Sequence, residues 1–200
     1  MSDDGNTEGE NGVISGPWFS ETPVTKYSSH TDEMATSRVC LSASEVKAIT
    51  LSAFGPSFNH HFSTCFLENS YYLPSESDVR RLLAASRVSR LAYIDDRFDC
   101  DDFALGVKGE FSLYAYKRRK LKNQAICFGV VMGQFKWTEE AVNHAACFFV
   151  DQNKTVRLVE PRLPWRKLKN STEKPPGWIN PDEIKFFPVS DSSSCYLLLL

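Results

Sequence analysis

Asn143-His144-Ala145-Ala146-Cys147-Phe148-Phe149-Val150-Asp151-Gln152-Asn153-Lys154-Thr155-Val156-Arg157-Leu158-Val159-Glu160-Pro161 holds two apolar runs separated by a short polar break. Short runs rich in Val, Phe and small residues, bounded by Asp and Asn, are strand signals, and so close a spacing predicts an antiparallel hairpin. If Asp151-Gln152-Asn153 forms a three-residue loop with Asn153 left-handed, Val150 pairs with Lys154. Phe148 then faces Val156, Ala146 faces Leu158, and His144 faces Glu160. Directly opposed residues share one face of a sheet. A slip of one residue would send His144 and Glu160 to opposite faces.

Outward from the hairpin, Ile126–Met132 and Ile184–Val189 are further strand candidates. The segments before them have helical spacing. Pro74-Ser75 with Asp78 three residues on is a capping pattern, followed by the apolar stripe Val79, Leu82 and Leu83. Asp99 and Asp102 form a second such pair, and Phe103, Val107, Phe111 and Tyr114 continue it at i, i+4, i+8 and i+11. The stretch Leu41–Tyr72 is ambiguous, with a helix in reach around Ser44–Ile49 and a break at Gly55-Pro56. Helices first and an antiparallel sheet afterwards predict an α+β domain. Its expected bounds are 39–190, between a disordered polar leader at 1–38 and a loose tail at 191–200 opened by Ser192-Ser193-Ser194.

Cys100 falls at the start of its helix. Free amides and the positive end of the helix dipole there favour a thiolate. His144 is the only histidine after it, and Glu160 is in matching register. Nucleophile, base and orienting carboxylate in the order Cys, His, acid is the order of papain-like enzymes. Against this, Asp95, Asp96, Asp99, Asp101 and Asp102 put five carboxylates within eight residues of chain, and like charges oppose a thiolate. Either these aspartates are solvated, or some of them bind a hard cation such as calcium.

The net charge of −2 gives no pull toward nucleic acid or membrane; the basic cluster Lys117-Arg118-Arg119-Lys120 with Lys122 resembles a nuclear-localisation or nucleic-acid patch, but the expected reading is the solvated end of a helix. Adjacent His60 and His61 lack partner spacing for a metal. The six cysteines form no CxxC pair, so neither a zinc site nor a disulfide scaffold is indicated. Cys127 and Cys147 lie in apolar runs as small core residues. No signal-peptide pattern and no apolar run of membrane-spanning length is present, so a cytoplasmic location is expected.

Phe98-Asp99-Cys100-Asp101-Asp102-Phe103-Ala104, Asn143-His144-Ala145 and Val159-Glu160-Pro161 together resemble the papain-like cysteine protease domain at the C-terminus of the Marasmius oreades agglutinin and its relatives. The resemblance runs from about Tyr71 to Val189. It implies a papain-like fold and a calcium-activated peptidase that also dimerises. Cys100 would be nucleophile, His144 general base and Glu160 orienter, with Asp101 and Asp102 as calcium ligands and a peptide or protein as substrate. The segment before Tyr71 has no threefold repeat, so the family's sugar-binding trefoil is not implied. Leu91–Ile94 offers no glutamine for an oxyanion donor, and Pro164–Trp178 would line the cleft. Phe98-Asp99-Cys100 is also similar to the nucleophile segment of NlpC-type endopeptidases, but Asp101-Asp102 and Glu160-Pro161 fit the agglutinin family better. The expected function is therefore a calcium-dependent cysteine peptidase. The alternatives are an amidase or acyl transferase with the same triad, or an inactive, metal-stabilised interaction module.

Overall fold

Two capping boxes start the helical part of the chain. In the computed structural model, which describes residues 39–91, 99–117, 124–136, 143–162 and 181–200, helix α1 spans Ala43–Phe54, directly after strand β1, Cys40–Ser42. Ser42 Oγ accepts from Glu45 N at 3.3 Å, and Glu45 Oε2 accepts from Ser42 N at 2.8 Å. Helix α1 stops at Gly55-Pro56, because proline cannot donate into the next turn. Strands β2 (Phe58–Cys65) and β3 (Ser70–Tyr72) follow; the side chains of residues 59–62, His60 and His61 among them, lie outside the described set. Helix α2, Glu76–Ala85, carries the expected Ser75–Asp78 box and buries Val79 and Leu83. Helix α3, Cys100–Lys117, buries Phe103, Ala104, Val107 and Phe111. No helix among the described residues is long and apolar enough to cross a membrane.

Strands β4 (Ala125–Ile126), β5 (Phe128–Phe135), β6 (His144–Val150), β7 (Val156–Val159), β8 (Phe187–Pro188) and β9 (Ser192–Leu199) complete the chain. The large sheet has the order β2-β9-β5-β6-β7-β8, and a small one the order β1-β3-β4. The α+β class holds, but the sheets are mixed where an antiparallel one was expected: β2 runs parallel to β9, and β3 parallel to β4. Strand β6 is buried from Ala145 to Val150, which is why its sequence reads as a continuous apolar run. Helix α1 covers one side, Phe54 meeting Phe148 edge to face at 5.6 Å. Helix α3 covers the other, with Phe111 stacked on Phe128 at 3.7 Å and the Ala104 carbonyl 3.7 Å from Cys147 Sγ.

The C-terminal segment is no loose tail. Strand β9 sits between β2 and β5, with Cys195, Leu198 and Leu200 buried. Its serine run misleads because Ser192 is buried and bonded: its Oγ donates to Val189 O at 2.6 Å, and Ser57 Oγ donates to Ser192 O at 2.9 Å. A hydroxyl satisfied in this way costs little to bury.

The hairpin keeps its three-residue loop, moved by one position. Asp151 N donates to Thr155 O at 2.9 Å, and the left-handed residue is Lys154, at φ 61, in place of Asn153. Asp151 is the cause. Its buried Oδ1 accepts from Asn153 N at 2.8 Å and Thr155 N at 2.9 Å, an Asx turn that begins the loop one residue later. The partners become Phe148↔Leu158 and Val150↔Val156. A one-residue move of the loop shifts each partner by two, so the faces are preserved and His144 remains on the side of Glu160. The expected leader, Asp95 and Asp96, most of the basic cluster, and Pro164–Trp178 all lie outside the described residues.

Candidate functional site

Cys100 is the first residue of α3 and half-buried. Phe103 N donates to Asp99 O at 3.0 Å, the helix's first bond, and Asp99 N donates to Asp102 Oδ2 at 3.3 Å. Asp102 thus closes the helix start as expected. Asp99 does not return the bond; its Oδ1 is buried without a hydrogen-bond partner. The Asp101 carboxyl is held above the usual carboxylate range because it shares a hydrogen bond with Asp99, with burial adding to the effect. Ligand atoms of Asp99, Cys100 and Asp101 lie within 4.8 Å of one another. Of the two expected calcium ligands, Asp101 is in that cluster and Asp102 is not.

His144 opens β6 where this strand pairs with Gly133 of β5. Its Nε2 lies 2.8 Å from Glu160 Oε2, a diagonal contact at the open end of the hairpin, with the side chains 18% and 30% exposed. Glu160 is itself oriented, its Oε1 accepting from Arg162 N at 3.0 Å. The Phe135 ring stands edge-on to the imidazole, centroids 6.0 Å apart. Burial pushes the imidazole toward neutrality. Hydrogen bonds to Cys100 and Glu160, and the charge of both, outweigh it and raise His144 to about 9. Cys100, His144 and Glu160 therefore form one hydrogen-bonded line with a cationic imidazole at neutral pH. By contrast, burial pushes the Cys127 thiol up to about 12 and the Cys147 thiol well above its ordinary range, which leaves both as core residues.

Three neighbours escaped the sequence reading. Phe135 packs on the imidazole, and Gly133 lets β9 approach β5 beside it. Tyr196 of β9 is near enough to Cys100 and Asp101 that, after burial, their charges raise its phenol. The signal for Tyr196 was the apolar run Tyr196–Leu200 behind the serines.

Residues 71–163 match the family model described as Agglutinin C-terminal. That stretch is agglutinin C-terminal-like. No curated protein matches the chain. Among solved structures, PSL1a in complex with E64 aligns at a TM-score of 0.62 and 19% identity over 80% of this chain and 51% of its own. Polyporus squamosus lectin, bound to the human-type influenza-binding epitope Neu5Aca2-6Galb1-4GlcNAc, aligns at 0.58 and 20% identity over 80% and 49%. Likeness at this identity shows the fold. The chain spans about half the length of these structures.

These findings correct the expected activity. The matching family model describes an agglutinin's C-terminal part and a solved neighbour is a lectin, so the calcium-dependent cysteine peptidase, the hydrolase class and the peptide substrate are withdrawn. The physical reason is that a thiol, an imidazole and a carboxylate brought together do not by themselves establish turnover. The same three groups can hold a ligand.

Proposed function

We propose that this chain is a ligand-binding module of lectin-type proteins, and that its ligand site is the cleft at Cys100, His144 and Glu160. The observation that carries the reading is the 2.8 Å contact between His144 and Glu160 on an imidazole that also bonds Cys100. A histidine needed only for packing does not require a partner on each side in a half-buried cleft; one that presents a thiol to a ligand does. The fold at this site is papain-like in this reading: a thiol at a helix N-terminus, set against a sheet in which strand β6 begins with the imidazole residue. The start of α3 at Cys100 and of β6 at His144 supports that description.

Asp99 and Asp101 suit a hard cation such as calcium in charge, and the buried, unpartnered Oδ1 of Asp99 is a donor atom in want of a partner. Two carboxylates are fewer than the six to eight oxygens calcium takes, so backbone oxygens and water would supply the rest. Bound there, a cation would offset the carboxylate charge beside the thiol.

The two ligands held by the structural neighbours are the compounds to try. In calorimetry, E64 should bind the wild-type chain and lose binding in Cys100→Ala, while the sialylated trisaccharide reports whether sugar recognition extends to this half. If neither compound binds, or if Cys100→Ala binds E64 like the wild type, the cleft is not the ligand site.

A further inference from the structure

Strand β9 leaves regular pairing beside the Cys100 cleft. Along β5 its partners run Val131↔Leu198, Met132↔Leu197 and then Gly133↔Cys195, so Tyr196 is the extra residue of a β-bulge. A bulge bends its strand and re-aims a side chain that plain alternation would turn elsewhere. Opposite it stands Gly133, whose other partner is His144. A Cβ on Gly133 would meet the Ser194 carbonyl and lie 3.1 Å from Cys195 Cα, so the missing side chain is what admits β9 this closely. One row thus crosses three strands: the Cys195–Tyr196 bulge, Gly133, and His144 with Glu160 beyond it.

The neighbours of Tyr196 fit that placement. It is half-buried, flanked in sequence by the core residue Cys195, and within electrostatic reach of both Cys100 and Asp101. Burial and those charges keep its phenol protonated, and a protonated phenol donates. Its hydroxyl makes no hydrogen bond among the described residues, unlike the hydroxyl of Tyr71, which accepts from Glu68 N at 3.1 Å.

We propose that the Tyr196 hydroxyl donates a hydrogen bond to an acceptor oxygen of a ligand seated at Cys100, making β9 a third wall of the cleft. This rests on reading Cys100, His144 and Glu160 as the ligand site. The ligand class it selects is a small molecule with a carbonyl, carboxylate or hydroxyl oxygen next to the group that meets the thiol. The bulge is a device for that purpose, since it supplies the donor without placing a second charge beside Asp101.

The probe is E64, titrated into the full chain as wild type, Cys100→Ala and Tyr196→Phe. A second measurement is the alkylation rate of Cys100 by iodoacetamide, followed by mass spectrometry; this small reagent reads the thiol itself. Phenylalanine keeps the ring, so the fold is retained. Because the thiol opens the E64 epoxide irreversibly, forming a C–S bond as a C–O bond breaks, loss of one hydrogen bond should slow E64 labelling of Cys100 by about tenfold in Tyr196→Phe, with the iodoacetamide rate at the wild-type value. Unchanged E64 labelling in Tyr196→Phe, with labelling lost in Cys100→Ala, overturns the role of Tyr196 and leaves the site. An equal loss in E64 labelling and alkylation also overturns it, because Tyr196 would then act through the thiol. If E64 does not label the wild type, or labels Cys100→Ala equally, the site reading and this proposal fall together.

Discussion

The β6–β7 hairpin and strand β9 belong to the same sheet but are held there in opposite ways. The hairpin closes through residues adjacent in sequence: one buried carboxylate, Asp151, gathers two amides and sets the loop. Strand β9 closes over long distances, Leu198 pairing with Thr64 on one side and Val131 on the other. Local closure costs little chain entropy, whereas long closure must be repaid by burial, here of Cys195, Leu198 and Leu200. The hairpin should therefore yield by increments when perturbed, and β9 should yield as a whole.

The sharpest test removes the long-range partner. Deleting residues 192–200 takes a strand from between β2 and β5 and exposes both of their edges. Each buried leucine lost costs about 2–5 kcal/mol, against a typical total stability of roughly 5–15 kcal/mol. The truncated chain should show no cooperative unfolding transition in urea. A transition near the wild-type midpoint would mean that β9 is peripheral and that the two regions do not differ as described.

Next in size is Gly133→Ala. The new Cβ would press on backbone, the Ser194 carbonyl and Cys195 Cα, which cannot rotate away as a side chain could. Overpacking of this kind costs about 3 kcal/mol or more. Urea unfolding should register that loss. The analogous change Gly109→Ala, with nothing within 4 Å of its Cβ, should be neutral or slightly stabilising. Equal effects at the two glycines would remove the argument that β9 depends on close approach.

What could be read from the sequence follows the same division. The Ser75–Asp78 box, the α3 stripe from Phe103 to Phe111 and the pairing faces of the hairpin rest on neighbours a few residues apart, and all of these are present. The hairpin register was off by two because Asp151, taken as a loop residue, is a buried acceptor that moves the loop to 152–154. Strand β9 is hidden in the sequence because Ser192-Ser193-Ser194 is polar by composition, as a tail would be; the hydrogen bonds that hold Ser192 in the interior involve Ser57 and Val189. With that strand went Tyr196. The line of Cys100, His144 and Glu160 was legible because face parity survives a two-residue shift.

Replacing Glu160 by Gln separates the electrostatics of the hairpin end from its backbone. His144 is raised from 6.5 to about 9, so the stability it contributes is fully present below about pH 6.5 and lost as pH rises through about 9. Glutamine keeps a hydrogen bond but removes the charge. In Glu160→Gln the imidazole pKa should fall by about one unit or more, worth roughly 1.4 kcal/mol per unit. Stability between pH 6.5 and 9 should then vary less with pH than in the wild type. Proton NMR titration of the histidines, with His144 assigned by its substitution to Gln, reads both. An unchanged pKa would mean that the 2.8 Å contact carries no charge coupling.

The smallest effect lies at the loop itself and decides its register. Lys154 occupies the left-handed region at φ 61, where an ordinary side chain costs about 1–2 kcal/mol relative to glycine. Glycine there relieves that strain but adds about 0.5–1 kcal/mol of unfolded-state entropy. Lys154→Gly should therefore stabilise the protein by about 0.5 kcal/mol, seen as a higher urea midpoint at unchanged slope. Asn153→Gly should do the reverse, since residue 153 has no positive φ to relieve and loses only its conformational restriction. If glycine helped at 153 and hurt at 154, the loop would be Asp151–Asn153 with Val150 opposite Lys154. The two amides on Asp151 Oδ1 would then have to be given up. That register would put Glu160 directly opposite His144 and remove the diagonal contact, so a half-kilocalorie difference in the loop reports on the geometry of the site.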